Sequence, residues 1–197
     1  MSRESQQFSP ELPEGARPVE WLETNGLGRY HGLLVINLPG IGRHVLLSNV
    51  EDWLLAGGKK YALSSRRHPG VYYPDGPRFQ TAFAPFPCPS FTYEAGGFRV
   101  TRELMLLQGR NVLLIRYTLA RTAKKGPSSA SLQVAPLLAF RSFHSLTHKN
   151  DALCGSISPA CSGFSIHPYK ELPPLTFQSD GNFTFVSSPL WIERVEY

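Results

Sequence analysis

Short strand-like segments, separated by turns of glycine and proline, run through most of this chain of 197 residues. The clearest covers Asn111 to Leu119, where successive side chains alternate between an apolar and a mixed face. A period of two is typical of a strand with one buried face. The 17 glycines and 17 prolines favour turns over long helices. About a dozen such segments, without a convincing amphipathic helix, predict an all-β fold: an antiparallel two-sheet β-sandwich.

Several turns indicate hairpins, and each joins two of the predicted strands. These hairpins are Gly32 to Leu38 with Arg43 to Val50, Trp53 to Ala56 with Lys59 to Leu63, and Ser90 to Glu94 with Phe98 to Leu106. The turn at Gly57-Gly58 is of the two-residue kind. Three further strands are expected at 175–177, 183–186 and 191–195, whereas Ser64 to Arg78 is expected to be a loop.

Length and polarity predict one domain preceded by a short arm. Residues 1–18 hold little to bury, so a flexible N-terminal arm is expected there, and 19–197 is expected to form the β-sandwich domain. The net charge is +5, but the basic residues are spread out, with Arg66-Arg67-His68 and Lys124-Lys125 as the densest groups. No nucleic-acid partner is therefore expected.

The cysteines indicate neither a metal site nor a disulfide framework. Cys88, Cys154 and Cys161 show no zinc-type spacing, and their odd number favours reduced thiols and a cytoplasmic location. The polar N-terminus lacks the apolar core of a signal peptide, and no segment reaches the roughly 20 apolar residues of a membrane span. No metal, cofactor or membrane partner is expected.

One stretch near the start is unusually dense in special residues. Glu20 to Gly28 reads EWLETNGLG and runs directly into Arg29 to Val35, which reads RYHGLLV. Glycines allow close backbone approach, and the Arg-Tyr-His triplet offers a planar donor fork, an amphipathic ring and an imidazole. An ordinary strand does not need this combination.

This stretch resembles the N-terminal domain of prokaryotic-type glycogen debranching enzymes, the amylo-α-1,6-glucosidases. Further pieces agree in order, among them Val45 to Ser48, Pro69 to Val71, Phe91 to Tyr93 and Pro136 to Thr147. The resemblance runs from Val19 to near the end of the chain. It implies the large two-sheet, supersandwich-like β-domain that precedes a helical barrel, and a parent reaction that hydrolyses α-1,6-glucosidic branch points.

Two departures from the family bear on activity. Gly28 joins Arg29 directly, where family members usually carry a further run of small and polar residues. The family's remaining β-domain and its large helical catalytic domain are also absent from this sequence. Because the resemblance places the acid and base on the helical domain, this chain alone is expected to be inactive.

The acids of the chain suggest no catalytic pair. Glu20 and Glu23 lie in the special stretch, but their odd separation points them to opposite faces of an extended chain. Glu51, Asp52, Glu94 and Glu103 are expected to be solvated. No catalytic residue is therefore assigned, and no GxGxxG or GxSxG motif suggests a nucleotide site or a serine hydrolase.

Two polar groups are candidates for substrate binding. Arg29, Tyr30 and His31 suit contact with an α-glucan or with the facing catalytic domain, unless Tyr30 packs inside and Arg29 holds a local carboxylate. Arg141 and His144 form a second polar group at a strand end, where a structural histidine is the alternative. Arg66, Arg67, Tyr72 and Tyr73 of the predicted loop either line the same rim or are simply solvated.

The leading hypothesis is an accessory domain that packs on a helical catalytic domain, in the same chain or another, and shapes its cleft. Two alternatives stay open. One is a free-standing carbohydrate-binding β-sandwich that binds glycogen or limit dextrin. The other is a non-functional fragment of a longer family member.

Overall fold

The computed structural model describes residues 32–195 and confirms the all-β prediction, with no α-helix in that range. A single 3-10 turn, Pro77–Phe79, interrupts the strands. The strands are β1 (Leu34–Leu38), β2 (Gly42–Ala56), β3 (Lys59–Ala62), β4 (Arg66–His68), β5 (Val71–Tyr73), β6 (Gln80–Ala84), β7 (Ser90–Ala95), β8 (Phe98–Leu106), β9 (Leu113–Arg121), β10 (Ala130–Ser142), β11 (Ile157–Ala160), β12 (Gly163–Ile166) and β13 (Leu175–Gln178).

The strands form two larger antiparallel sheets and two smaller ones. In the first sheet β2 is central, with β10 along one side and with β1 and β3 at opposite ends of the other. The second sheet has the order β6-β7-β8-β9. A third sheet has the order β11-β12-β13, and β4 pairs only with β5.

The two larger sheets bury their facing sides against each other. Leu54 of β2 packs with Phe91 and Tyr93 of β7 and with Val100 of β8, and none of these is more than 1% exposed. Strand alternation explains the arrangement, because residues two apart point to one face. A second apolar cluster joins β1 and β2 to Phe140 and, through partly buried side chains, to β13.

Strand β2 is one continuous element of 15 residues, although the sequence predicted two strands on either side of Glu51 and Asp52. Both acids are buried in the middle of it. The prediction that these two acids are solvated was therefore wrong. Ion pairs allow charged residues to occupy a core strand, as described below.

Two further expectations fail at the surface. The predicted loop Ser64 to Arg78 contains the β4–β5 hairpin. The segments 183–186 and 191–195, predicted as strands, adopt no regular structure and have no ladder partner among the described residues. A β-branched and aromatic composition makes a strand only where a neighbouring strand accepts its hydrogen bonds. No helix within residues 32–195 is both long and apolar enough to cross a membrane.

Candidate functional site

The predicted binding residues Arg29, Tyr30 and His31 lie outside the described residues, as do Glu20 and Glu23. The described chain begins directly after them, at Gly32, beside strand β2. A Cβ atom on Gly32 would lie 2.6 Å from Cγ1 of Val45, so only glycine fits there without displacing that side chain. Val45 is the cross-strand partner of Arg141. Gly32 therefore packs beside the strand position that pairs with Arg141, a member of the second predicted polar group.

Arg141 is buried, with 5% of its surface exposed. Its Nη1 donates hydrogen bonds to the backbone oxygens of Ser142, Phe143 and Ser145, at 3.3, 3.4 and 3.0 Å. Charged donors to backbone oxygens stabilise a turn that has lost its regular partners. Arg141 therefore holds the turn after β10 in shape.

Two register shifts in the β2–β10 ladder orient this turn. The register shifts between Leu137 and Leu138 and again between Leu138 and Arg141. At the second shift Phe140 has φ of 43° while its ring is buried, a conformation that is rare for a bulky residue and is tolerated where surrounding packing enforces it. Bulges redirect the side chains that follow them.

His144 lies exposed at the tip of this turn. Its ring stands edge-on to the Phe143 ring, with 5.4 Å between the ring centroids. The guanidinium of Arg43, on strand β2, lies 4.7 Å from the centroid of the same Phe143 ring. Arg43, Phe143 and His144 thus form a compact corner of planar groups. We call this set, together with Arg141 beneath it, the polar corner.

A second polar cluster lies inside the sandwich. Asp52 is fully buried, and Nη1 of Arg102 donates to both of its carboxylate oxygens, at 3.0 and 2.9 Å. The Tyr117 hydroxyl donates to Asp52 Oδ2 at 3.1 Å, and Arg102 Nη2 donates to the Tyr93 hydroxyl at 3.3 Å. The Arg102 guanidinium also lies over the Phe91 ring, 4.8 Å from its centroid. We call these residues the buried cluster.

Burial and charge shift the acid–base behaviour of the buried cluster. Desolvation raises the pKa of Tyr93 to about 12 and the pKa of Tyr117 well above its usual value, and the Asp52 charge adds to both shifts. Burial acts to lower the pKa of Arg102, but Asp52 and the two tyrosines outweigh it, so that pKa is raised. The two tyrosines therefore stay protonated and Arg102 stays charged at neutral pH. The cluster is built to hold charge, not to exchange protons.

Glu51 points to the opposite face of β2 and pairs with Arg66 of β4. Both side chains are largely buried, and desolvation raises the pKa of Glu51 against the opposing effect of Arg66. The two adjacent acids of β2 thus bind two different strands, one on each side of the sheet. No third carboxylate approaches either pair among the described hydrogen bonds and ion pairs.

The sequence contained a signal for the buried cluster. Asp52 lies between Val50 and Leu54, and Arg102 lies between Val100 and Leu104, so the period of two places both charges on apolar faces. Two opposite charges on facing core positions indicate a pair, because an isolated buried charge is too costly. Reading the alternation through the charged residues would have found it.

A surface cavity of about 600 Å³ opens beside β11 and β12. Its walls include Cys154, Ser156, His167, Lys170 and Glu171. Hydrogen bonds from Ser156 and the charge of Lys170 lower the pKa of Cys154. Glu171 is the one carboxylate among its lining residues, and the described residues hold no group of three or more potential metal ligands.

Comparison with families of known proteins gives a match over most of the chain. Residues 19–197 match the family described as "Glycogen debranching enzyme N terminal". That range covers every described residue and agrees with the resemblance stated from the sequence. No curated protein and no solved structure matches the chain.

Proposed function

This chain belongs to the glycogen debranching enzyme N-terminal family, and from that premise we propose that it is a non-catalytic accessory domain. In this proposal it packs on a helical catalytic domain, in the same chain or another, and forms one wall of the cleft in which α-1,6-glucosidic branch points are hydrolysed. The observation that supports a non-catalytic role most directly is the state of the acids.

Glycosidases need two carboxylates about 5 to 10 Å apart with the scissile bond between them. The two buried acids, Glu51 and Asp52, are neighbours on one strand, point to opposite faces and are each bound by an arginine. Asp52 has no exposed surface, so no substrate reaches it. Among residues 32–195, neither acid has another carboxylate among its hydrogen-bonding or ion-pairing partners.

The surface acids of the second sheet do not supply the pair either. Glu94 and Glu103 are held by Arg99 and Arg116 on the outer face, where hydrogen bonds from Arg116 lower the pKa of Glu103. A general acid needs the opposite shift, toward a raised pKa. Glu103 therefore lacks the environment of a catalytic acid, and Glu94 is paired with its arginine on the same outer face.

The polar corner is the part of the domain that suits a cleft wall. It presents an exposed imidazole and planar groups at the end of β10, on a turn that Arg141 holds from beneath. Arg29, Tyr30 and His31 precede Gly32, which packs against the same part of β2. We therefore propose His144 and this triplet as contacts for glucan or for the catalytic domain, with Arg141 as a positioning residue.

The proposal is tested by incubating the chain with a branched limit dextrin and measuring released glucose. We expect none from the chain alone and turnover when a helical debranching domain of the family is supplied. Glucose release by the chain alone would overturn the accessory role.

A matched pair of variants tests the polar corner in the combined system. His144→Ala removes the exposed ring, and His148→Ala removes a second exposed histidine four residues along. We expect kcat/KM to fall severalfold for the first and to stay unchanged for the second. Equal effects of the two would contradict a specific role for the corner.

A further inference from the structure

The β4–β5 hairpin reverses the usual distribution of side chains. Its strands have only three residues each, with Pro69 and Gly70 at the turn. The charged Arg66 at its base is buried, whereas Val71, Tyr72 and Tyr73 are 55%, 41% and 63% exposed. Folding alone favours the opposite arrangement, because exposed rings gain nothing and a buried arginine costs desolvation.

The base of the hairpin is fixed to the core from several sides. Arg66 pairs with Glu51 of β2, and the Gly76 amide donates to the Ser64 oxygen at 3.2 Å, which closes the excursion. A Cβ on Gly76 would lie 2.3 Å from that oxygen, so the closure requires glycine. Nδ1 of His68 lies 3.1 Å from the backbone oxygen of Arg194, near the end of the described chain. These contacts hold the base of the hairpin in place, which reduces the conformational freedom that binding would have to remove.

The side chains at the tip combine ring faces with planar hydrogen-bonding groups. Tyr72 lies directly across from the exposed Arg67, and Tyr73 lies on the opposite face of the hairpin. Directly opposed residues of an antiparallel pair have Cβ atoms about 5 Å apart. A tyrosine ring and a guanidinium at that spacing can contact the same sugar. The apolar face of the sugar stacks on the tyrosine ring, and its hydroxyls accept hydrogen bonds from the guanidinium.

We propose that the β4–β5 hairpin binds α-glucan, with Tyr72 stacking on a glucose ring and Arg67 bonding to hydroxyls on one face, and with Tyr73 stacking on a second glucose ring on the other face. This inference rests on the proposed function for the choice of glucan among sugars. It assigns a binding surface that lies apart from the polar corner in sequence.

A protein partner fits the hairpin less well than a glucan does. Stable protein interfaces bury about 800 Å² on each partner and involve about 20 residues or more. The hairpin offers three exposed apolar side chains on strands of three residues. That surface matches a few sugar rings in size.

Native electrophoresis in gels with and without glycogen tests the proposal, run below the isoelectric point of about 9.2. The variants are Tyr72→Ala/Tyr73→Ala and, as matched controls, Val71→Ala on the same hairpin and Phe86→Ala, an aromatic residue 65% exposed elsewhere. All are neutral changes, so mobility without glycogen stays the same. We expect glycogen to retard the wild type and both controls and to retard the double variant far less.

The loss of each tyrosine ring is expected to weaken glycogen binding about three- to tenfold, the range of a single aromatic ring contact. Absence of retardation in the wild type, or equal retardation of the double variant, would overturn the proposal. So would equal losses in Val71→Ala and the double variant, or self-association that depends on the tyrosines without any effect of glycogen. None of these results changes glucose release, which tests the accessory role separately.

Discussion

Two consecutive residues of strand β8 each belong to an arginine–carboxylate pair. The two pairs have the same chemical groups but differ in burial and in hydrogen-bond geometry. Arg102 points inward and binds the fully buried Asp52, whereas Glu103 points outward and binds Arg116. The outer pair has the better geometry, since Nε and Nη2 of Arg116 donate to separate oxygens at 2.6 and 2.8 Å. In the inner pair a single nitrogen serves both oxygens.

The comparison shows that solvent, more than geometry, decides what such a pair contributes. Water screens the outer pair and solvates either partner when the other is lost. The inner pair has no such substitute, because each partner alone would be an uncompensated charge in the core. The inner pair therefore ties the two sheets together, and the outer pair supports one sheet locally.

The largest expected effect is that of Asp52→Ala. Removing this carboxylate leaves Arg102 buried and unpaired, and we expect the free energy of unfolding to fall by about 3–5 kcal/mol. Glu103→Ala on the neighbouring outer pair is the control and should have a far smaller effect. Urea unfolding of both variants measures the difference. Equal losses would show that burial does not separate the two pairs.

Replacing both inner partners sharpens the comparison. Asp52→Leu with Arg102→Met removes the whole pair, and we expect the double variant to be more stable than either single variant. The same cycle on Glu103 and Arg116 should give a coupling close to zero. A simple sum of the two single effects at the inner pair would contradict strong coupling.

A smaller loss is expected at the edge of the buried cluster. Tyr117→Phe deletes the hydroxyl that donates to Asp52 Oδ2. We expect it to lower the free energy of unfolding by about 1.5–3 kcal/mol, as for a hydrogen bond to a charged acceptor. Tyr169→Phe is the control, because its hydroxyl bonds to exposed Asn150. An equal effect of the control would remove the case for a special role of burial.

The smallest effects concern pH, and here the sign distinguishes the two environments. Burial raises the pKa of Glu51 from 4.5, so its contribution to stability is full below about pH 4.5 and is lost as pH rises through the folded-state pKa. Hydrogen bonds from Arg116 lower the pKa of Glu103, so its contribution is present above about pH 4.5 and is lost as pH falls through the folded-state pKa.

Glu51→Gln and Glu103→Gln should therefore change the pH dependence of unfolding in opposite directions. Chemical unfolding from about pH 3 to 7 measures both slopes. Added salt should reduce the contribution of Glu103 and leave that of Glu51 nearly unchanged. Slopes of the same sign would contradict the assignment of one acid to the interior and the other to the surface.

Much of the fold was readable in the sequence. The hairpins at Gly57-Gly58 and Ala95 to Gly97 were predicted from glycine turns and are confirmed as β2–β3 and β7–β8. The alternation of Asn111 to Leu119 is confirmed in β9. These elements depend on local backbone preferences and on a face pattern, which neighbouring residues already contain.

The candidate site was less readable. His144, a candidate binding residue at a strand end, is exposed, whereas Arg141, the other candidate of that group, is buried beneath the turn. The sequence places the two three residues apart and does not distinguish a side chain that binds a ligand from one that binds backbone oxygens. The register shift at Phe140, which no local sequence motif predicts, precedes the turn in which Arg141 is buried and His144 is exposed.

The sequence by itself determined the family, the antiparallel β class and the main turns, because each depends on residues that are neighbours in the chain. Only the tertiary structure decided which charges are inside. Asp52 and Arg102 lie 50 residues apart, and their burial is stable only because the two sheets bring them within hydrogen-bonding distance. The tertiary structure also decided that Arg66 is buried while Tyr72 and Tyr73 are exposed. Arg66 can be buried because its ion-pair partner, Glu51, lies on another strand.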